Sequence, residues 1–298
     1  MADAQPSDDV LHDALETFDA HRRRLFGVAY RMLGSVSDAE DIVQETWIRW
    51  QGADRAGIRE PAAFLTTIAT RLSINALTSA RARRETYVGP WLPEPVNTDD
   101  DPALGAERAE ALQFAVLIML EKLTPTERAA YVLREAFDYP YPRIAEVISV
   151  SVVSARQLVS RARAHLSSER RIAVAPTAQR SLLEAFLVAA RKGDAAQLEK
   201  LLAEEVVSYT DGNGVKLAAR IPVIGRGRVA TFVAAFAHHF WTGKTIGWVR
   251  VNGQPAATLI EDGVVTTMVT ITTSDDGIRQ LLWVMSPDKL RHVTALPA

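Results

Sequence analysis

Arg143–Ser167 reads RIAEVISVSVVSARQLVSRARAHLS, and its punctuation sets the class of the fold. Arg143 to Ile148 predicts a short helix, Ser149-Val150-Ser151 a turn, and Val152 to Ser167 a second helix. Short helix, tight turn and a following arginine-rich helix form the helix-turn-helix pattern. Such a second helix presents polar side chains at its first turns and packs its other face on the helix before it. Ser154, Arg156, Gln157, Ser160, Arg161 and Arg163 supply the first set; Leu158, Val159, Ala162 and Leu166 supply the packing. Taken alone, the pattern also describes an amphipathic helix with a solvated face. The turn lacks the glycine often found there.

Toward the N-terminus, Thr124-Pro125-Thr126-Glu127 is a capping box with proline at the first helical position, opening a helix to about Phe137. A further helix is predicted over Ala106 to Leu123. Thr86 to Gly105 holds four prolines and the acidic run Asp99-Asp100-Asp101, and reads as a linker. Before it, Leu11 to Met32 has helical spacing. Ser37-Asp38-Ala39-Glu40 predicts a capping box with Ser37 as N-cap, followed by Ile42, Val43, Thr46, Trp47 and Trp50 on one face. Pro61 opens a third helix that runs through Phe64, Leu65, Ile68, Ala69, Leu72 and Leu77 into Arg81-Ala82-Arg83-Arg84.

Toward the C-terminus the chain changes character after Pro176. Leu182 to Arg191 and Ala195 to Leu202 predict two helices. Strand-type runs follow at Val206 to Thr210, Thr245 to Val251, Ala256 to Glu261, Val264 to Thr273 and Ile278 to Val284, divided by Gly-Asn-Asp turns. Helices followed by a hairpin-connected antiparallel sheet make an α+β domain. The expected division is residues 10–86, a linker over 87–105, residues 106–172, and a third domain over 178–298.

The 298 residues are 48% apolar, enough for several packed cores, and contain no cysteine, which excludes disulfides, thiolate zinc sites and a Cys nucleophile in this sequence. The longest apolar stretches fall short of the roughly 20 residues that span a bilayer. Residues 1–9 are polar and acidic, unlike a signal peptide, so a cytoplasmic protein without membrane contact is expected. The net charge of −2 conceals a local field: Pro61–Glu85 has four arginines against one acid, and Arg143–Arg171 six against two. Arginine suits bidentate phosphate and base contacts, although GC-rich codon usage also enriches it.

Enzyme signatures are sparse. His238-His239 are adjacent, point about 100° apart on a helix, and do not chelate one ion as an i, i+4 pair does. No P-loop or Gly-x-Ser-x-Gly is present. No metal, cofactor or catalytic residue is predicted.

Four motifs in order resemble one family: Asp38-Ala39-Glu40-Asp41-Ile42-Val43-Gln44-Glu45-Thr46-Trp47, Phe64 to Leu72 ending in Arg83-Arg84-Glu85, Leu123 to Arg128, and Gln157 to Arg163. They are similar to bacterial extracytoplasmic-function (group 4) RNA polymerase sigma factors, with two all-α modules, sigma-2 and sigma-4, over residues 10–172. Trp91-Leu92-Pro93-Glu94-Pro95 and the last 120 residues resemble the SigJ-like subgroup, which carries a C-terminal α+β SnoaL-like, NTF2-like cone. Asp211-Gly212-Asn213-Gly214-Val215-Lys216 departs from the subgroup's Asp-Gly-Gly-Gly-Lys, and Ser286-Pro287-Asp288-Lys289-Leu290 has Ser where Asn is usual.

The resemblance implies partners and roles. Asp38, Glu40, Asp41, Gln44, Glu45 and Trp47 would face the clamp helices of the polymerase largest subunit, with the flap as a further contact of core enzyme. Arg71, Asn75, Ser79, Arg81, Arg83 and Arg84 would engage the −10 element, where opening the duplex costs about 1.4 kcal/mol per stacked step. The helix-turn-helix residues would read the −35 element. Trp91, Leu92, Pro93, Asp211, Lys216, Asp288, Lys289 and Leu290 would make regulatory contacts through which the C-terminal domain acts in cis. Two alternatives stay open: a helix-turn-helix regulator working without core polymerase, and a bifunctional protein whose C-terminal domain senses a small molecule or acts as a cyclase- or isomerase-like enzyme. For a small-molecule ligand, Trp241, Trp248, Trp283, Phe236, Phe240 and Met268 are the candidate lining, with plain core as their other reading.

Overall fold

The structure, a computed structural model, describes residues 8–98, 113–167 and 176–293; for residues 8–10, 81–83, 85 and 167 only the backbone is described. The chain forms two compact units. Of the described residues, one unit comprises 8–83 and 119–167, the other 84–98, 113–118 and 176–293. The two predicted helical modules therefore lie mostly in one unit, with residues 84–86 and 113–118 in the other, where residues 87–98 of the predicted linker also belong.

The helical unit begins with α1 (Asp8–Leu33), α2 (Val36–Gln51) and α3 (Pro61–Glu85), with a 3-10 turn at Arg55–Gly57. The Trp50 indole N–H donates to the Ala14 carbonyl at 2.9 Å and ties α2 to α1, while Phe18 packs on Trp47 with ring centres 5.0 Å apart. The cap of α2 corrects the sequence expectation: Ser35, in extended backbone, accepts from the Asp38 N–H, and Ser37 lies inside the helix. A serine two residues earlier outcompetes Ser37 because the first helical residue is already Val36.

After α4 (Phe114–Leu120) come α5 (Pro125–Glu135), α6 (Tyr141–Val147) and α7 (Val152–Ser167). The Thr124–Glu127 capping box is present in both directions, with Pro125 at the first turn. Between α6 and α7, Ser149 takes the left-handed conformation at φ 56°, filling the position usually held by glycine. Ser151 then caps α7 by accepting from the Ser154 N–H at 3.0 Å. The expected Leu158, Val159, Ala162 and Leu166 are buried. Residues 99–112, which include the acidic run and the first part of the helix expected from Ala106, lie outside the described residues.

In the second unit, α8 (Pro176–Lys192), α9 (Ala195–Leu201), α10 (Arg226–Ala235) and α11 (Ala237–Phe240) accompany six strands. These are β1 (Leu202–Asp211), β2 (Val223–Ile224), β3 (Thr245–Val251), β4 (Gln254–Glu261), β5 (Val264–Ser274) and β6 (Gly277–Val284), with α12 (Pro287–Leu290) at the end. The sheet order is β2-β1-β6-β5-β4-β3. The purely antiparallel, hairpin-connected sheet expected from sequence is corrected to a mixed sheet, because β1 pairs with β6 in parallel. Two strands so distant in sequence carry no hairpin signal.

Both faces of this sheet are covered, and side chains on β6 alternate between them as the period of two requires. Leu281 and Trp283 enter a core with Leu183, Phe186 and Val229 from the helices. Leu282 and Val284 enter a second core made with Leu92 of the linker, Phe114 of α4 and Leu290 of α12. Residues 87–98 of the predicted linker are thus part of the C-terminal unit. At the β5–β6 turn, Gly277 has φ 124°, and a Cβ there would stand 2.6 Å from the Leu201 carbonyl oxygen.

Candidate functional site

On α7, Arg156, Gln157 and Ser160 are exposed, and Ser154 is half-buried. Arg156 rests 5.5 Å from the centre of the Tyr141 ring. The other two arginines are held by the helix beneath: Arg163 bonds Glu135 at 2.7 Å, and Arg161 lies 3.4 Å from Glu127. Donating to the Glu135 carboxylate raises the Arg163 pKa further. Burial works to raise the Glu127 pKa, but the Thr124 bonds and then Arg161 hold it below the usual carboxylate range. These acids aim the arginines along α7 while leaving both more than half exposed.

The α3 candidates divide. Asn75 and Ser79 are exposed. Arg71 is engaged: its Nε donates to the Val147 carbonyl at 2.9 Å, and an Nη donates to the Glu146 carbonyl at 3.1 Å and the Ser149 hydroxyl at 2.9 Å. A guanidinium from α3 therefore caps the C-terminus of α6 and pins the helix-turn-helix turn, where the helix dipole favours a cation. Tyr139 bonds Thr66 at 3.1 Å beside it. Arg84 belongs with Trp91 to the second unit and stacks 3.5 Å over its ring. The side chains of Arg81 and Arg83 lie outside the described residues. Arg49, Arg59 and Arg143, unassigned by sequence, join Arg71 and Phe64 around a groove of about 580 Å³ that Glu60 and Glu146 also line.

On α2, Asp41, Gln44 and Glu40 are exposed, with Asp38, Glu45 and Trp47 partly so. Glu40 pairs with Arg22 at 3.0 Å and Glu45 with Arg49 at 2.9 Å. Together they form an acidic helix face with one tryptophan.

The most elaborate cluster of the second unit surrounds Asp211 at the end of β1, fully buried. Its carboxylate accepts from the Leu92 N–H at 2.6 Å, the Tyr87 hydroxyl at 2.5 Å and the Lys289 ammonium at 2.6 Å. Lys289 also donates to the Leu92 carbonyl at 2.5 Å and lies 4.3 Å from the centre of the Trp91 ring. Burial lowers the Lys289 pKa against the pull of Asp211. Burial, then the Asp211 charge, pushes the Tyr87 phenol well above its ordinary value. Farther along, Val96 donates to Asn252 Oδ1, Asn252 N–H to the Val96 carbonyl, and Thr98 N–H to the Arg250 carbonyl, extending the sheet by one bridge.

Of the residues expected to make regulatory contacts, Trp91, Leu92, Asp211 and Lys289 meet here, Pro93 is buried beside them, and Leu290 joins Leu92 in the second core. Two do not arrive: Lys216 is exposed on the loop after β1, and Asp288 faces outward to Arg291. Tyr87, Asn252 and Thr98 carry no sequence signal, because their partners lie more than 120 residues away. Among the described residues there is no group of three or more His, Asp or Glu placed to hold a metal ion, and no helix long and apolar enough to cross a membrane.

Sigma-70 region 2 matches residues 17–83 and Sigma-70 region 4 matches residues 113–166. The chain is 37% identical over 286 residues to the ECF RNA polymerase sigma factor SigJ of Mycobacterium tuberculosis, covering 91% of each chain. It is 30% identical over 289 residues to the probable ECF RNA polymerase sigma factor SigI of the same species, covering 95% of this chain and 97% of that one. The crystal structure of M. tuberculosis SigJ superposes with a TM-score of 0.76 at 33% identity, covering 95% of this chain and all of that one. Helical regions 2 and 4 followed by a mixed-sheet domain make this chain a member of the extracytoplasmic-function RNA polymerase sigma factors.

Proposed function

We propose that the chain directs core RNA polymerase to particular promoters and that its C-terminal domain sets this competence by holding the linker. The observation that carries the reading is the buried Asp211 carboxylate, which gathers Tyr87, Leu92 and Lys289 onto one point. The acidic, tryptophan-bearing face of α2 suits the polymerase largest subunit, and the flap would receive the helices around α7. Arg156, Gln157 and Ser160 are free to enter a major groove at the −35 element, where a good bidentate pair discriminates by about 1–3 kcal/mol. Asn75, Ser79 and the arginine-lined groove beside α3 suit the opened −10 strand, whose phosphates reward cations and whose bases need capture.

Arg71 commits its Nε and one Nη to the α6 carbonyls and the Ser149 hydroxyl, so in this reading it serves the −10 strand with its remaining Nη group or after release of that contact. The protein acts as a cytoplasmic initiation subunit and not as an enzyme. The test is in vitro transcription with core polymerase, comparing the full chain with Asp211→Ala and Trp91→Ala. Promoter-specific initiation by the full chain, altered in both variants, is expected. Binding of duplex operator with no dependence on core enzyme would instead establish the regulator reading.

A further inference from the structure

The chain contains two Asn-Gly pairs, Asn213-Gly214 and Asn252-Gly253. The structure holds them in opposite states. In such a pair the glycine nitrogen can attack the asparagine side chain, because no Cβ on glycine obstructs closure of the five-membered ring. The nitrogen bonds to the asparagine Cγ, its proton passes to solvent, and ammonia leaves. Water then opens the cyclic imide at one carbonyl or the other and gives aspartate or isoaspartate, so the only co-reactant is water. The reaction needs a free N–H, a free side chain and room for the peptide to rotate.

Asn213-Gly214 meets all three requirements. It lies on the loop that leaves β1 after Asp211, and its asparagine stands where the subgroup's pattern has glycine. Both residues are exposed, and neither makes a hydrogen bond among the described residues. Their φ angles of 45° and 86° make them the two centres of a tight turn. The turn is closed around them by the Val215 N–H, which donates to the Gly212 carbonyl at 2.9 Å and uses no group of the pair. A Cβ on Gly214 would meet nothing within 4 Å, so the peptide rotates into open space.

Asn252-Gly253, at the β3–β4 turn, has the same backbone class, with φ 53° and 75°. Its partners differ. Asn252 is fully buried, and its Oδ1 accepts from the Val96 N–H at 3.0 Å, which fixes the amide that would be attacked. The Gly253 N–H, the attacking group, donates to the Thr98 hydroxyl at 3.1 Å. The groups that occupy both reactants belong to the linker.

We propose that Asn213 is a self-modifying site: in the folded chain Asn213-Gly214 converts without an enzyme to aspartate and isoaspartate, while the docked linker keeps Asn252-Gly253 unreactive. Conversion places a negative charge, and in the isoaspartate form one more backbone atom, two residues after the carboxylate that grips the linker. The second half rests on the linker reading given above.

The experiment incubates the full chain at mildly alkaline pH in heavy-oxygen water, digests it with trypsin in ordinary water, and follows the peptides by mass spectrometry. Cleavage after Lys200 and Lys216 isolates Asn213, and cleavage after Arg250 places Asn252 in a separate peptide. Expected are conversion of Asn213 with uptake of solvent oxygen, and conversion of Asn252 at least about tenfold slower, since it must wait for local opening. In Asp211→Ala the Asn252 rate, taken relative to Asn213 in the same molecule, should rise at least about threefold. No conversion of Asn213 in the folded chain, over a time in which the isolated peptide 201–216 converts, overturns the site. Equal rates at the two asparagines overturn the protection. An unchanged ratio in an Asp211→Ala chain whose residues 92–98 exchange hydrogen faster shows that burial alone guards Asn252, and overturns the second half. If that exchange does not rise either, the linker grip itself falls and the Asn213 site stands.

Discussion

Replacing Asp211 by alanine removes one acceptor from three donors at once. The Leu92 N–H, the Tyr87 hydroxyl and the Lys289 ammonium, at 2.6, 2.5 and 2.6 Å, are left in a buried site. Summing three charge-assisted bonds at about 1.5–3 kcal/mol each overstates the loss, because the donors share one anion. Lys289 also limits the damage, since burial already lowers its pKa and the variant can release its proton. The appropriate magnitude is that of a buried pair broken on one side, about 3–5 kcal/mol. If that cost falls on linker docking, the opening equilibrium for residues 92–98 rises by roughly two to three and a half orders of magnitude. Hydrogen exchange of the Leu92, Val96 and Thr98 amides in the full chain reads this directly. Lys289→Met should cost a similar amount, about 3–5 kcal/mol, because it leaves the buried Asp211 anion without its counter-charge. Asp211→Asn combined with Lys289→Met should recover most of the loss, since a neutral pair needs no compensating charge. Exchange within threefold of the parent in a folded Asp211→Ala chain would falsify the claim that this carboxylate holds the linker.

Arg71→Ala should raise exchange at the end of α6 and in the Ser149 turn, consistent with loss of about 1–2 kcal/mol of local stability, while α7 keeps its protection; unchanged exchange there would show that the three bonds hold nothing. Arg156→Ala and Gln157→Ala should weaken −35-dependent initiation by about 1–3 kcal/mol each with no loss of thermal stability, as scored with matched and mutated −35 sequences. Only Arg156→Ala should also lessen the salt dependence if it contacts phosphate. Glu127 titrates below the usual 4.5 in the folded chain, so its contribution is complete above that value and lost as pH falls through the lowered one. Glu127→Gln should accordingly be less stable than the parent at neutral pH and show a shallower fall in stability below pH 4.5, followed by circular dichroism.

The parts legible in sequence were those written in local chemistry. Thr124, Pro125 and Glu127 announce α5 within four residues, and the polar and apolar alternation of Val152–Ser167 gives both faces of α7. Where two local signals competed, as Ser35 and Ser37 do for the cap of α2, the motif reading chose the wrong serine. Ser149 could do a glycine's work in the turn because the positive φ there is reinforced from outside by Arg71. Long-range matters were illegible. The parallel pairing of β1 with β6, the two-residue β2 and the seat of Tyr87 and Val96 depend on segments 15 to 156 residues away, and no periodicity encodes such a meeting. The Asp211 and Lys289 assignments came from likeness to a family, as did those of Lys216, Asp288 and Arg84, whose side chains stand apart from the Asp211 carboxylate.

The ammonium that clasps Leu92 is 197 residues downstream of it. At about 5–20 residues per second, a ribosome delivers Lys289 some 10–40 seconds after Leu92, and about 6–24 seconds after the last helix of the helical unit. Every newborn copy thus passes through an interval in which its tether hangs loose, and the time of synthesis becomes a window in which restraint has not yet been assembled.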